Sequence, residues 1–92
     1  MSKILWEKLR WEEFQEALKE DPIVIVPVGS TEQHGPALPV CTDTADCEAV
    51  AHRAAEKLVG KIRVLVTPAV WTGYSWHHMD YPGTITRIVK IF

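Results

Sequence analysis

The chain has little of what would mark a secreted, fibrous or membrane protein. Among its 92 residues only two are cysteines, Cys41 and Cys47. Placed across a loop-to-helix junction, they form no disulfide framework for a small extracellular domain, and reduced thiols in a cytoplasm are the simpler expectation. Long hydrophobic runs are missing too. The longest, near Ile23 and near Val64, fall far short of bilayer-spanning length, and Met1-Ser2-Lys3-Ile4 leads into charged residues rather than a signal-peptide core. Ten Lys and Arg against twelve Asp and Glu give a formal net charge of −2. With no basic stripe, a nucleic-acid or anionic-membrane partner is not expected. Internal repeats, low-complexity stretches and a Gly-rich phosphate loop are also absent, so Gly29-Ser30 reads as a turn. What remains is ordinary globular composition, 47% hydrophobic and 24% charged. At this length the expectation is one domain at most, with a thin core.

The pattern of apolar residues supplies an order of elements. Trp11, Phe14 and Leu18 form one stripe of an amphipathic helix over residues 11–20, with acidic residues early, and Asp21-Pro22 breaks it. Ile23 to Val28 is a continuous apolar run of the kind found in strands buried on both faces. A second helix is expected from Asp43 or Thr44 as N-cap, through Cys47, Val50, Ala51, Ala54 and Leu58, to Gly60 as its stop. Ile62 to Thr67 is a second buried-type strand closed by Pro68. Strand, helix and strand in this order predict a right-handed βαβ unit with a parallel sheet, whose ligands collect beyond the carboxyl ends of the strands.

Directly after the first run stand three metal-competent side chains. Glu32 and His34 are two positions apart, so an extended backbone directs both to one side, and Asp43 can return to them after a loop stiffened by Pro36 and Pro39. A carboxylate, an imidazole and a second carboxylate suit zinc, manganese or iron in a hydrolytic site. Spacing alone also accommodates a plainer reading, in which Glu32 and His34 are solvated and Asp43 only caps the helix. Cys41, close to Asp43, could supply a thiolate, although a small buried filler is the expected role.

Two blocks of residues carry a resemblance. Pro27-Val28-Gly29-Ser30-Thr31-Glu32-Gln33-His34-Gly35-Pro36, with Leu38-Pro39 and Thr42-Asp43-Thr44, resembles the first signature of the creatininase (creatinine amidohydrolase) family. Gly73-Tyr74-Ser75, His78-Met79 and Tyr81-Pro82-Gly83-Thr84-Ile85 are similar to its second. The resemblance implies a three-layer α/β/α fold with a mostly parallel sheet, incomplete in this chain, and residues 1–92 as a single partial domain. It further implies two divalent metal ions, with Glu32 on one, His34 on the other and Asp43 between them. Ser75 and His78 would face substrate, orienting it or stabilising developing charge. In the loop around them, Trp71 and Tyr81 could instead plug the core, and adjacent His77 and His78 cannot point the same way in an extended loop. Two positions depart from the family's pattern: Ala37 stands where many relatives have His, and Cys41 where Gly commonly precedes Thr-Asp.

The implied activity is metal-dependent hydrolysis of a C–N bond in a small amide, creatinine or a formylaminopyrimidine being examples. Two strands leave apolar surface and unpaired edges, and the stretch Ile88-Val89-Lys90-Ile91-Phe92 ends without cap or turn. An N-terminal piece of a longer enzyme, or a non-catalytic remnant that folds as a homo-oligomer by burying Ile88, Val89, Ile91 and Phe92, are the two expectations.

Overall fold

The computed structural model describes residues 4–88, which group into two compact units, 4–27 with 49–68 and 28–48 with 69–88. Val89, Ile91 and Phe92 of the expected oligomer interface lie outside the described residues.

The first unit contains a two-stranded parallel sheet. Strand β1 (Ile23–Ile25) pairs with β2 (Val64–Val66) so that Ile23 faces Val64, Val24 faces Leu65 and Ile25 faces Val66. Both strands are shorter than the apolar runs suggest. Pro27 and Pro68, having no N–H, cannot extend the ladder beyond Thr67 N–H to Ile25 O, 3.0 Å. Val66 also pairs in parallel with Leu5, which makes β2 the central strand and β1 an edge. Burial follows that order. All of β2 is buried, whereas Ile23 and Val24 are 53% and 43% exposed. The expectation of burial on both faces therefore holds for β2 and fails for β1, because burial depends on neighbours that an apolar run does not specify.

Helix α1 (Trp11–Leu18) carries Glu12 and Glu13 in its first turn, and Glu13 Oε1 accepts the Arg10 backbone N–H at 3.1 Å. Acidic residues there suit the positive end of the helix dipole. The expected stripe is not the buried face. Trp11 and Leu18 are exposed and Ala17 is buried, while Phe14 meets the Trp6 ring at 4.6 Å between centroids. Asp21 at φ 50° then turns the chain towards Pro22, a backbone conformation that Asp tolerates better than most residues.

Helix α2 (Thr42–Leu58) connects the parallel strands, and Gly60 at φ 83° follows its end. Ala51 and Ala55, one turn apart, enter a core with Ile4, Val64 and Val66, flanked by Leu5, Ile25 and Leu58. Small side chains on that face allow close approach. Leu65 is the largest of the fully buried side chains. Replacing it with Ala should lower stability by about 2–5 kcal/mol, a large share of what a domain this size possesses. Urea unfolding checks this, with a lowered midpoint expected. Among the described residues no helix is long and apolar enough to cross a membrane.

Candidate metal centre

The second unit consists of loops tied by backbone hydrogen bonds, with the start of α2 among them. Gly29 N–H donates to Val70 O at 2.7 Å, Ile85 N–H to Thr31 O at 2.8 Å, and Glu32 N–H to Val40 O at 3.4 Å. Gln33 N–H donates to Thr84 Oγ1 at 3.1 Å, and Thr31 Oγ1 to Trp71 O at 2.7 Å. The two sequence blocks are thereby fastened to each other on either side of Glu32.

Helix α2 begins earlier than expected. Thr42 Oγ1 donates to Pro39 O at 2.6 Å, and Cys41 O accepts the first helical bond from Ala45 N–H at 2.8 Å. Cys41 thus occupies the N-cap position, exposed rather than a buried filler, and Asp43 lies within the first turn. The helix start is a place where a carboxylate is well accommodated.

One ligand atom from each of Glu32, His34 and Asp43 lies within 4.8 Å of the other two. The three side chains singled out by spacing are brought together. His34 Nε2 is 3.3 Å from Asp43 Oδ1, yet it is buried and makes no hydrogen bond. An imidazole nitrogen left orphaned beside a carboxylate is the arrangement of two ligands facing a common point more than of donor and acceptor. Carboxylate, imidazole and carboxylate donors fit zinc, manganese or iron.

Gly29 allows this approach. A Cβ there would come within 2.7 Å of Thr44 Oγ1 and 2.8 Å of the Thr44 backbone N and Cα. Backbone atoms at a helix start cannot yield as a flexible side-chain tip can. Gly29→Ala is therefore expected to cost about 1–3 kcal/mol and to weaken divalent-ion binding by displacing the neighbouring Asp43. Urea denaturation and calorimetric titration would measure the two effects, and unchanged values for both would contradict this packing.

A second cluster went unforeseen. Glu32, His77 and His78 also offer ligand atoms within 4.8 Å of one another. Trp76–His78 is a 3-10 turn, with His78 N–H donating to Ser75 O at 2.9 Å, and the two imidazole centroids are 4.2 Å apart. The expectation that at most one of them faces the site assumed an extended loop. A 3-10 turn rotates successive side chains by about a third of a circle instead of half.

His78 meets Glu32 as well as Gln33: its Nε2 is 3.4 Å from Glu32 Oε2 and its Nδ1 2.9 Å from Gln33 Nε2. Ser75, expected to face substrate, is fully buried, with its backbone N–H bonded to Thr86 Oγ1 at 2.8 Å and its hydroxyl unpartnered. That hydroxyl is not presented to solvent. Trp71 and Tyr81 are exposed rather than plugging a core. Beside His34 lies an open cleft of about 420 Å³ walled by Pro36, Leu38, Val40, Tyr81 and Pro82. A groove of about 620 Å³ over α1, lined by residues such as Arg10, Glu12, Glu16 and Lys19, brings no comparable metal-ligand set.

Gln33 and Thr84 have no role in the sequence-based expectations, and for His77 the expectation is only that it and His78 do not both face the site. Gln33 is the one with a signal, a polar amide lying between two metal-competent residues.

A family model described as creatinine amidohydrolase matches residues 7–89. A 3-dehydro-scyllo-inosose hydrolase of Thermotoga maritima is 35% identical over 83 residues, covering 89% of this chain and 25% of that protein. A mycofactocin precursor peptide peptidase of Mycolicibacterium smegmatis is 46% identical over 67 residues, covering 71% and 27%. Among solved structures, a creatinine amidohydrolase superposes with a TM-score of 0.81 at 28% identity, over 95% of this chain and 34% of that one. Creatininases in a manganese form and of a Zn-Zn type superpose with TM-scores of 0.81 and 0.79. The chain spans about a quarter of the length of the curated relatives it matches.

Proposed function

Since the chain belongs to the creatininase family, we propose that it carries the first part of a metal-dependent amidohydrolase site, acting on the C–N bond of a small or cyclic amide such as creatinine. Glu32 would hold one divalent ion, His34 a second, and Asp43 would contribute to both. The observation that carries this reading is the orphaned, buried His34 Nε2 facing Asp43, with Glu32 completing the triangle. Divalent ions held there would supply Lewis acidity and lower the pKa of bound water towards neutrality. The residues of this chain would fix the ligand geometry, and Leu38, Val40, Tyr81 and Pro82 give the open cleft apolar walls against which a small organic substrate fits.

The relatives' names bound the substrate class. They cover an inosose hydrolase, a precursor-peptide peptidase and creatininases. Amide cleavage is shared by the last two, which favours an amide here. Hydrolysis of creatinine and of a formylaminopyrimidine is expected to require added manganese, zinc or iron. If neither is cleaved with any of the three, the substrate assignment fails.

A second reading, a non-catalytic chain that folds as a homo-oligomer, is favoured by the exposed apolar Ile23 and Val24 on the edge strand β1. A single monomeric species in sedimentation would count against it. We place the protein in the cytoplasm, as the two free thiols suggest.

A further inference from the structure

We propose that His78 is a positioning residue that orients the Glu32 carboxylate through its Nε2–H, and that Gln33 sets this tautomer. The inference rests on Glu32 being a metal ligand, as argued above, and it assigns the Glu32–His77–His78 cluster to orientation, not to a further metal site.

The amide of Gln33 has a fixed orientation. Its Oε1 accepts the Gly35 backbone N–H at 2.9 Å, a donor that cannot reverse its role. The other end of the amide, Nε2, is therefore the one 2.9 Å from His78 Nδ1. A flipped amide would place its NH2 against the Gly35 N–H, donor against donor. Because Gln33 Nε2 only donates, His78 Nδ1 must be the lone-pair nitrogen, and the ring proton sits on Nε2.

Nε2 lies 3.4 Å from Glu32 Oε2. The other tautomer fails at both ends, since an Nδ1–H imidazole sets two donors together at Gln33 and two lone pairs together at Glu32. Only the Nε2–H imidazole suits both neighbours. A protonated Nε2 offers no lone pair to a cation, so His78 acts on Glu32 rather than beside it.

Backbone ties support the same role. Gln33 N–H is held by Thr84 Oγ1, and the 3-10 turn fixes His78 through Ser75 O. Both middle members of the relay Gly35–Gln33–His78–Glu32 are thus anchored. Partners of this kind fix the orientation of a first ligand and typically contribute ten- to hundredfold in metal affinity.

Two measurements test the proposal. Long-range proton–nitrogen correlation on the metal-free, 15N-labelled chain, with the His78 signals identified by their loss in His78→Gln, is expected to show Nε2 protonated and Nδ1 bare. Gln33→Glu, whose carboxylate accepts instead of donating while still serving Gly35 N–H, is expected to move the proton to Nδ1. A wild-type His78 protonated at Nδ1, alone or together with Nε2, overturns the proposal.

In calorimetric titration with zinc, His78→Phe is expected to bind about tenfold more weakly, well short of the loss in Glu32→Ala. His78→Gln, which keeps an N–H for Glu32, should recover most of the difference. Unchanged affinity in His78→Phe, or a loss as complete as that of Glu32→Ala, overturns it, the second because His78 would then be a ligand. If the wild-type chain binds no divalent ion, the hydrolase reading fails, and the nitrogen spectrum of the metal-free chain still decides the tautomer.

Discussion

Asp43→Ala should abolish divalent-ion binding altogether, whereas Glu32→Ala and His34→Ala should each leave a weakened remainder. Apparent binding free energies of about 10–16 kcal/mol for four-ligand zinc sites put a single ligand at roughly 3 kcal/mol, or about a hundredfold in affinity. Glu32 and His34 are each expected to serve one ion, so losing either removes one ligand from one site. Asp43 serves both. Its position in the first turn of α2 places its carboxylate beside His34 Nε2 at 3.3 Å while sharing a 4.8 Å triangle with Glu32. Asp43→Asn separates charge from shape, since the amide fills the same space and retains one weak oxygen donor, and it should fall close to the Ala variant. Titration calorimetry and metal analysis after gel filtration would report stoichiometry, and circular dichroism would verify that α2 persists. An Asp43→Ala chain that keeps the wild-type stoichiometry would remove the basis for a shared ligand.

The parts of this site that were legible in the sequence depend on local geometry. Glu32 and His34 share a side because an extended chain alternates with period two, and the Pro-stiffened loop with the helix after it returns Asp43 to them. What stayed illegible depends on partners distant in the chain. Nothing in the order of residues says that the Gln33 amide spans to His78 or that Thr84 Oγ1 receives the Gln33 N–H, contacts separated by 45 and 51 positions. Ser75 shows the same limit, because a hydroxyl in a Gly-x-Ser segment reads as available until the surrounding chain is seen to bury it. Helix α2 starts a residue or two before the expected N-cap because Thr42, not Asp43 or Thr44, bonds the Pro39 carbonyl. In the sheet, β1 and β2 are alike as apolar runs, and only the pairing of Leu5 with Val66 makes one central and the other an edge. The parallel pairing itself followed from the helix between them, since parallel neighbours require a crossover of that length.

Metal should also act as a fold stabiliser. Ligation by Glu32 and Asp43 would tie a loop residue to the first turn of α2, and neither position is held in that relation by a hydrogen bond between the two side chains among the described residues. Binding to the folded state alone adds RT ln(1 + [L]/Kd), about 2.7 kcal/mol at a hundredfold excess over Kd. For a chain of this size each kcal/mol moves the melting temperature by roughly 4–8 °C, so saturating zinc or manganese should raise it by about 10–20 °C. Scanning calorimetry across a metal series would show a midpoint that climbs with concentration and returns to its starting value on adding a chelator. His34→Ala should flatten the slope of that climb without removing the transition itself, because His34 lies outside the buried core around Ile4, Ala55, Val64 and Val66. A midpoint indifferent to metal in the wild-type chain would mean that Glu32, His34 and Asp43, though close, gain nothing from a shared cation. Their proximity would then reflect only the packing of the loop against the start of α2, with Gly29 against Thr44 as its cause.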